Sequence, residues 1–470
     1  MAVGLRTYGV YIPTYRLQRE EIAKFWGTAY EPGEKAIANF DEDAITMAVE
    51  AARDCLDNSD DKSVDVLYFA STSSPYKETT CASFIASALD LPSETCTADF
   101  SNSLRAGTQA LYAALNIVRN DKTKKVLVIA SDCRQPAPNS ELELNLGDGA
   151  VAFLIGESPG IGSFLDEYFY SEPFLEIWKV DEEDYLKTWD QTFTRAEGYK
   201  RVLKRGITNA LNRFNLSTQQ FAQIATYYPS KRELFSTLGD LGFEKKTQMY
   251  SGLIDSVGNT GCAMPLMSLI DALGKVIPGD RVLLCGYGEG CDIFSIVINE
   301  SVKTNSGKVA AEKHVLIPYK NYLKFRNLLK TESPRSESSD LLLPELWRNI
   351  PQMLSFHASK CNNCGTIHFP IQRICSVCHS RDNFIEVRLS EKRGKVFTYT
   401  VDHLVPSPNP PTIRAVIDCD DARVTCLMTD CETEDLKIGM PVQMTFRKLE
   451  VTEGVRKYLW KCKPSRDGSK

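Results

Sequence analysis

Histidine is missing from the first two-thirds of this chain. Of 470 residues only five are histidine, and all of them (His314, His357, His368, His379 and His403) follow residue 313. Any chemistry in residues 1–313 therefore runs without imidazole, unless a partner chain supplies it. Long apolar runs are also absent. No stretch reaches the roughly 18 residues that a membrane helix needs, and Met1 to Pro13 has no basic start followed by an apolar run, so no membrane association and a cytoplasmic location are expected. There is no excess of positive charge either. The net charge of -6 removes the field that would make nucleic acid the expected partner.

Fifteen cysteines are present. Scattered through a long chain without a secretion signal, most are expected to be reduced thiols or metal ligands. The length exceeds what one core can hold, so two or three domains are expected. The 43% apolar and 25% charged content is that of an ordinary globular chain.

Residues 1 to about 300 alternate short apolar runs with helical spacing, which reads as α/β. Val64 to Ala70 and Lys125 to Ala130 read as buried strands. A helix follows Asn102-Ser103, with Leu104, Leu111, Ala114, Leu115 and Val118 at helical spacing and Ser103 or Asn102 as its N-cap. A shift of 156 residues carries Val126-Leu127 onto Val282-Leu283, Ser103 onto Asn259 and Thr72 onto Tyr228. It also carries Ala106-Gly107-Thr108 onto Cys262-Ala263-Met264, again opening an apolar helix. Two similar βα halves would give a five-layer, pseudo-symmetric α/β body.

Residues 331–345 form the expected linker between a 1–330 body and the remainder, and Thr331 to Asp340 have its polar, proline-bearing composition. Residues 346–384 are expected to hold a helical lead-in and a metal ribbon, and 385–466 a small barrel. The barrel's candidate strands are Val387–Leu389, Val396–Val401, Ile413–Ile417, Ala422–Met428 and Val442–Phe446. The basic tail Arg456 to Lys463 is read as a final strand. Cys361-x2-Cys364 and Cys375-x2-Cys378 place two thiolate-bearing turns ten residues apart, a pattern for a tetrahedral S4 zinc site. Four thiolates leave no open position for water, so this zinc is expected to be structural.

Several segments of the body resemble 3-hydroxy-3-methylglutaryl-CoA (HMG-CoA) synthases of the archaeal kind. They are Gly9 to Pro13 with Tyr15-Arg16-Leu17, Phe40 to Met47, Ser73 to Tyr76, Arg105 to Thr108, Gly147 to Gly156, Gly258-Asn259-Thr260, Gly286 to Asp292 and Tyr322 to Arg326. Residues from about 345 onward, with Lys437 to Val442 in the barrel, resemble the zinc-ribbon/OB-fold proteins that associate with thiolase-type enzymes. The resemblance implies a duplicated five-layer thiolase-like fold, followed by a zinc ribbon and a five-stranded OB-type β-barrel. It implies a coenzyme A thioester as substrate, and a homodimer or a heteromer with another thiolase-type subunit.

The family's chemistry uses an acyl-accepting cysteine, a proton-moving glutamate, and a histidine beside an asparagine. Carried over residue by residue, the cysteine falls on Leu104, or on Ser103 if the register slips by one. The glutamate falls on Thr72 and the histidine on Tyr228, while the asparagine is kept as Asn259. Ordinary HMG-CoA synthesis through a cysteine is therefore not expected. One reading is C–C bond chemistry on an acyl-CoA (retro-aldol or Claisen-like) without the triad: Tyr228 as acid or base, with Ser103, Asn259 and helix-terminal N–H groups holding the enolate or alkoxide. The other is a non-catalytic subunit that pairs with an active thiolase-type chain. Cys262, Cys81, Cys96 and Cys133 are read as packing residues, and His368 and His379 as surface residues.

Overall fold

The computed structural model describes residues 3–301, 314–329, 343–419, 422–452 and 454–465. The chain divides into two compact units. The first comprises Met1–Asn39, Asp43–Ala86 and Leu91–Tyr322, and the second Phe40–Glu42, Ser87–Asp90 and Leu323–Lys470. The expected linker at 331–340 lies outside the described residues. Among the described residues, no helix is long and apolar enough to cross a membrane.

The first unit is built on one nine-stranded sheet. Its strands are β1 (Val3–Tyr11), β2 (Val66–Ser71), β3 (Cys96–Ser101), β4 (Val126–Asp132), β5 (Gly149–Glu157), β6 (Gly162–Ser171), β7 (Gln223–Thr226), β8 (Arg281–Gly288) and β9 (Gly290–Ile298), in the spatial order β7-β8-β9-β6-β1-β5-β4-β2-β3. The order has an internal symmetry. β2 runs parallel to β4, which turns back antiparallel into β5 and then β1. In the same way β7 runs parallel to β8, which turns back into β9 and then β6. β1 and β6 pair antiparallel and join the halves. The repeat in the sequence is thus a repeat of topology, with the outermost β3 belonging to the first half alone.

Four helices complete the layers: α1 (Ala44–Asp57), α2 (Ala106–Asn120), α3 (Arg201–Phe214) and α4 (Met264–Leu273). α1 covers the outer face of the first half, against β1, β4 and β5; α3 covers the outer face of the second, against β6 and β9. α2 and α4 meet in the middle, and with each half of the sheet supplying one β layer the unit has five layers, α-β-α-β-α. β4 is buried along its whole length and accordingly reads as a near-continuous apolar run, as parallel strands covered on both faces do. α1 starts cleanly because Asp43 and Thr46 form a capping box, with Asp43 Oδ1 accepting from the Ile45 and Thr46 amides at 3.1 Å each. The central helices pack close because α2 offers Gly107: a β-carbon there would lie 2.6 Å from the Cys262 carbonyl oxygen.

The start of α2 differs from expectation. The helix begins at Ala106 and Arg105 holds the cap position, without a side-chain cap bond. Asn102 takes a left-handed φ of 67°, so the chain turns before Ser103; the Ser103 carbonyl accepts from the Ala106 amide at 3.0 Å, but neither side chain caps the helix.

In the second unit His357–Cys361 pairs antiparallel with Ile367–His368 and with Phe384–Arg388. A closed barrel follows, formed by β10 (Arg393–Asp402), β11 (Thr412–Cys419), β12 (Ala422–Met428), β13 (Pro441–Thr452) and β14 (Val455–Pro464) in the order β10-β11-β12-β14-β13. The barrel has five strands as expected, but not the expected five. Val387 belongs to the ribbon's sheet, opposite Ala358, and the basic tail supplies the missing strand as β14.

Candidate functional site

The C-terminal ends of β2, β4, β7 and β8 converge where the N-terminal turns of α2 and α4 begin. One anchor of this region is Asp132, the last residue of β4 and wholly buried. Its Oδ1 accepts from Ser71 Oγ (3.1 Å), the Thr72 amide (2.7 Å) and Ser73 Oγ (2.8 Å), and its Oδ2 from Thr72 Oγ1 (3.0 Å) and the Cys262 amide (2.8 Å). Five donors fill both oxygens and tie the end of β2 to the entry of α4. Thr72, at the position the resemblance gives to glutamate, has its amide and hydroxyl committed here. Cys262 is fully buried, its Sγ lies 3.5 Å from the Ala70 carbonyl oxygen, and burial pushes its thiol well above the ordinary range. It offers no thiolate.

Asn259 sits on the loop entering α4, its amide donating to the Asn145 carbonyl at 2.8 Å. Its Oδ1 accepts from the Gly261 amide at 2.9 Å, and its Nδ2 donates to the Tyr227 hydroxyl oxygen at 3.0 Å. Gly261 permits this turn: its φ is 60°, and a β-carbon there would lie 2.2 Å from Asp132 Oδ2 and 2.9 Å from Arg134 Cδ. The tyrosine brought to Asn259 is therefore Tyr227, not Tyr228. Tyr228 faces the other way, into a fully buried setting beside Asp271 and Tyr250. Successive residues leaving an extended strand face opposite sides, so one step of register exchanges a site residue for a core residue.

Around Tyr227 stand residues with no role expected from sequence, although Tyr287 lies in the Gly286 to Asp292 segment. Tyr287, on β8, stacks on it with ring centroids 5.7 Å apart and donates from its hydroxyl to the Glu176 carboxylate. Tyr199 donates from its hydroxyl to the Tyr227 carbonyl at 3.1 Å. Arg134, two residues past the end of β4, lies against the Tyr227 hydroxyl. Burial raises that phenol to about 12, against the opposing pull of the Arg134 charge. Half-buried Glu176 is raised to about 7, chiefly by burial and further by Glu289, while its bond from Tyr287 and the charge of Arg134 oppose the rise.

Ser103 lies at the edge of this cluster. Its Oγ donates to Glu289 at 2.7 Å and accepts from the Arg105 amide at 3.1 Å. Leu104 packs against the apolar cluster that contains Tyr199, Tyr227 and Tyr287. The structure thus joins Asn259 to Tyr227, links Ser103 to Glu289, and turns the Tyr228 side chain away from all four.

In the second unit the sulfurs of Cys361, Cys364, Cys375 and Cys378 lie within 4.8 Å of one another. Cys361 to Cys378 is 3.6 Å and Cys364 to Cys375 is 3.4 Å. Tetrahedral zinc with Zn–S of about 2.3 Å requires sulfurs about 3.8 Å apart, so the donor set fits. His368 Nε2 lies 3.4 Å from Cys375 Sγ, a neighbour of the four ligands.

The duplicated five-layer body defines a thiolase-like fold. Sequence comparison makes the assignment narrower: the chain is 31% identical over 335 residues to the hydroxymethylglutaryl-CoA synthase of Pyrococcus horikoshii, covering 70% of this chain and 93% of that one. It is 29% identical over 344 residues to that of Methanopyrus kandleri, with 70% and 98% covered. The chain belongs to the HMG-CoA synthase family. Among solved structures, an HMG-CoA synthase complexed with CoA superposes with a TM-score of 0.63 at 20% identity, over 72% of this chain and 93% of that one. PksG, an HMG-CoA synthase from Bacillus subtilis, does so with 0.61 at 19%, over 70% and 89%. Residues 356–383 match the rubredoxin-like zinc ribbon domain of ChsH2, and residues 386–447 its C-terminal OB-fold domain.

Proposed function

We propose that this chain makes or breaks a C–C bond in a CoA thioester without the family's Cys/Glu/His triad. The observation that carries the reading is the Tyr227 hydroxyl, held by Asn259 Nδ2 at 3.0 Å in a cluster that also contains Glu176. In the bond-forming direction, the Glu176 carboxylate takes a proton from the carbon next to the thioester carbonyl. The enolate attacks the carbonyl carbon of the second substrate, and Tyr227 gives its proton to the resulting alkoxide. Bond breaking, the retro-aldol direction, is the reverse. A carboxyl raised to about 7 is present in both protonation states near neutral pH, which suits a group that takes and returns a proton. Tyr227 and Asn259 fill the roles that the sequence assigned to Tyr228 and Asn259, and Ser103 orients Glu289 rather than holding an enolate.

Turnover of candidate β-hydroxyacyl-CoA and β-ketoacyl-CoA thioesters by the full chain tests this. Tyr227→Phe is expected to lower kcat by about 100-fold or more, and Tyr228→Phe to leave it nearly unchanged. The zinc is proposed to be structural, held by Cys361, Cys364, Cys375 and Cys378.

A second reading has its own support. A leucine at the nucleophile position, packed into a tyrosine cluster, together with Thr72 tied to Asp132, suits a subunit that shapes a partner's site. In that case Tyr227→Phe leaves the activity of the assembled complex unchanged.

A further inference from the structure

Between β6 and α3 the chain builds a cup whose lining residues take no part in the site described above. Ile177–Trp178 and Lys187–Thr188 pair as a two-stranded hairpin. The chain leaving it passes Trp189 and Phe193, then winds into a π-helix over Thr194–Lys200. Pro173, Phe174, Leu175, Trp189, Asp190 and Phe193 line a cavity of about 410 Å³, a volume in the range of small-ligand sites. Its rings are held in place. Phe174 lies against Gly198, where a β-carbon would stand 2.5 Å from the ring's Cε1. Trp189 packs on Trp178 with ring centroids 5.2 Å apart, and Phe193 on Phe174 at 5.9 Å. The walls nevertheless face solvent, for Leu175, Trp189 and Phe193 are each more than half exposed.

The charge at the cup selects what fills it. Asp190 Oδ1 accepts from the Phe193 amide at 3.0 Å, which fixes the carboxylate, and among the described residues nothing bonds its Oδ2. At the hairpin's turn Asp181 and Glu183 pair with Lys77 and Lys187, while Glu182 and Asp184 carry no ion pair among the described residues, so the local field is negative. An anion is repelled from such a surface, and a neutral apolar guest gains nothing from the carboxylate. A primary ammonium is strongly hydrated and stays in water. A methylated, weakly hydrated cation gains from the aromatic rings and the carboxylate together. We infer that this cup binds a small organic cation with a quaternary ammonium head. The inference stands apart from the acyl-CoA reading, which uses neither Trp189 nor Asp190.

Calorimetric titration of the full chain with two probes tests it: choline, and the uncharged alcohol of the same shape with carbon in place of the nitrogen. Choline is expected to bind about fivefold tighter or more, the worth of one cation–π contact. Trp189→Leu and Asp190→Asn are each expected to remove most of that preference, whereas Trp189→Phe, which keeps a ring, retains part of it. Both positions are exposed, so these variants are expected to keep the thermal midpoint of the unaltered protein. Equal binding of the two probes makes the cup a plain apolar pocket and overturns the inference, as does binding of neither. A preference that survives in both Trp189→Leu and Asp190→Asn puts the cation elsewhere and overturns it too. None of these outcomes bears on the acyl-CoA reading, which is decided by turnover in Tyr227→Phe.

Discussion

Two neighbouring tyrosines have opposite fates because a strand alternates its faces. Tyr227 meets Asn259, whereas Tyr228 is buried beside Asp271. Asp271 makes this core pH-dependent. Burial raises its carboxyl to about 7, with Lys275 opposing, and Glu176 is raised to about 7 as well. Both folded values lie above the ordinary carboxyl values of the unfolded chain, so between those limits the folded state holds protons that the unfolded state has released. Stability is therefore greatest below the unfolded values and falls as pH rises to about 7, by up to about 1.4 kcal/mol per pH unit for each such proton. The thermal midpoint of the first unit should decline from pH 5 to pH 7.5. Asp271→Asn should flatten that decline, and an unchanged slope would show that the carboxyl is not held protonated. Asp132 makes a complementary case. Removing it in Asp132→Ala leaves three hydroxyls and two amides without their acceptor, and should cost about 3 kcal/mol or more in denaturant unfolding.

At the scale of elements, what was legible in the sequence was whatever burial writes into it. β2 and β4 stand where Val64–Ala70 and Lys125–Ala130 placed them, because strands covered on both faces must be apolar throughout. The repeat was visible through the paired β2/β4 and β7/β8 crossovers and the helices α2 and α4 within them. Where partner choice decides, the sequence misleads. Val387 carries a strand pattern but spends it on Ala358 in the ribbon, and no local feature distinguishes that sheet from the barrel. The site was legible only at Asn259, where a motif surrounds the residue. Arg134 and Glu176 lie on loops, and topology rather than local pattern brings them to Tyr227. The ribbon itself offers a test. Its three strands are short, and among them Ile367–His368 has two residues, so metal rather than core should supply most of its folding energy. Removing zinc with a strong chelator, or making Cys375→Ser, should abolish amide protection in 357–388 while β10 to β14 keep theirs. Protection retained in the metal-free protein would mean that the four sulfurs are not a folding site.

At the scale of the molecule, the open question is what completes the sheet. β3 (Cys96–Ser101) lies at its edge, pairs with β2 on one side, and is only half-buried along its length. A six-residue edge with unpaired backbone groups is a template for another chain. The Cys96 amide points inward, to the Asp65 carbonyl at 3.0 Å, so by alternation the Thr97 amide points out, where a partner strand would bond it. We expect a dimer through this edge, and expect Thr97→Pro to dissociate it without unfolding the monomer, since proline removes an outward donor and spares the inward ones. A native mass spectrum of the protein from its own cells, before and after acetyl-CoA, checks the expectation and separates the two functional readings. A homodimer with zinc and loosely held CoA, carrying no covalent acyl group, supports the triad-free enzyme. A complex with a second thiolase-type chain that alone becomes acylated makes this protein the shaping subunit. A covalent acyl group on this chain overturns both, because neither reading gives this chain an acyl-carrying nucleophile.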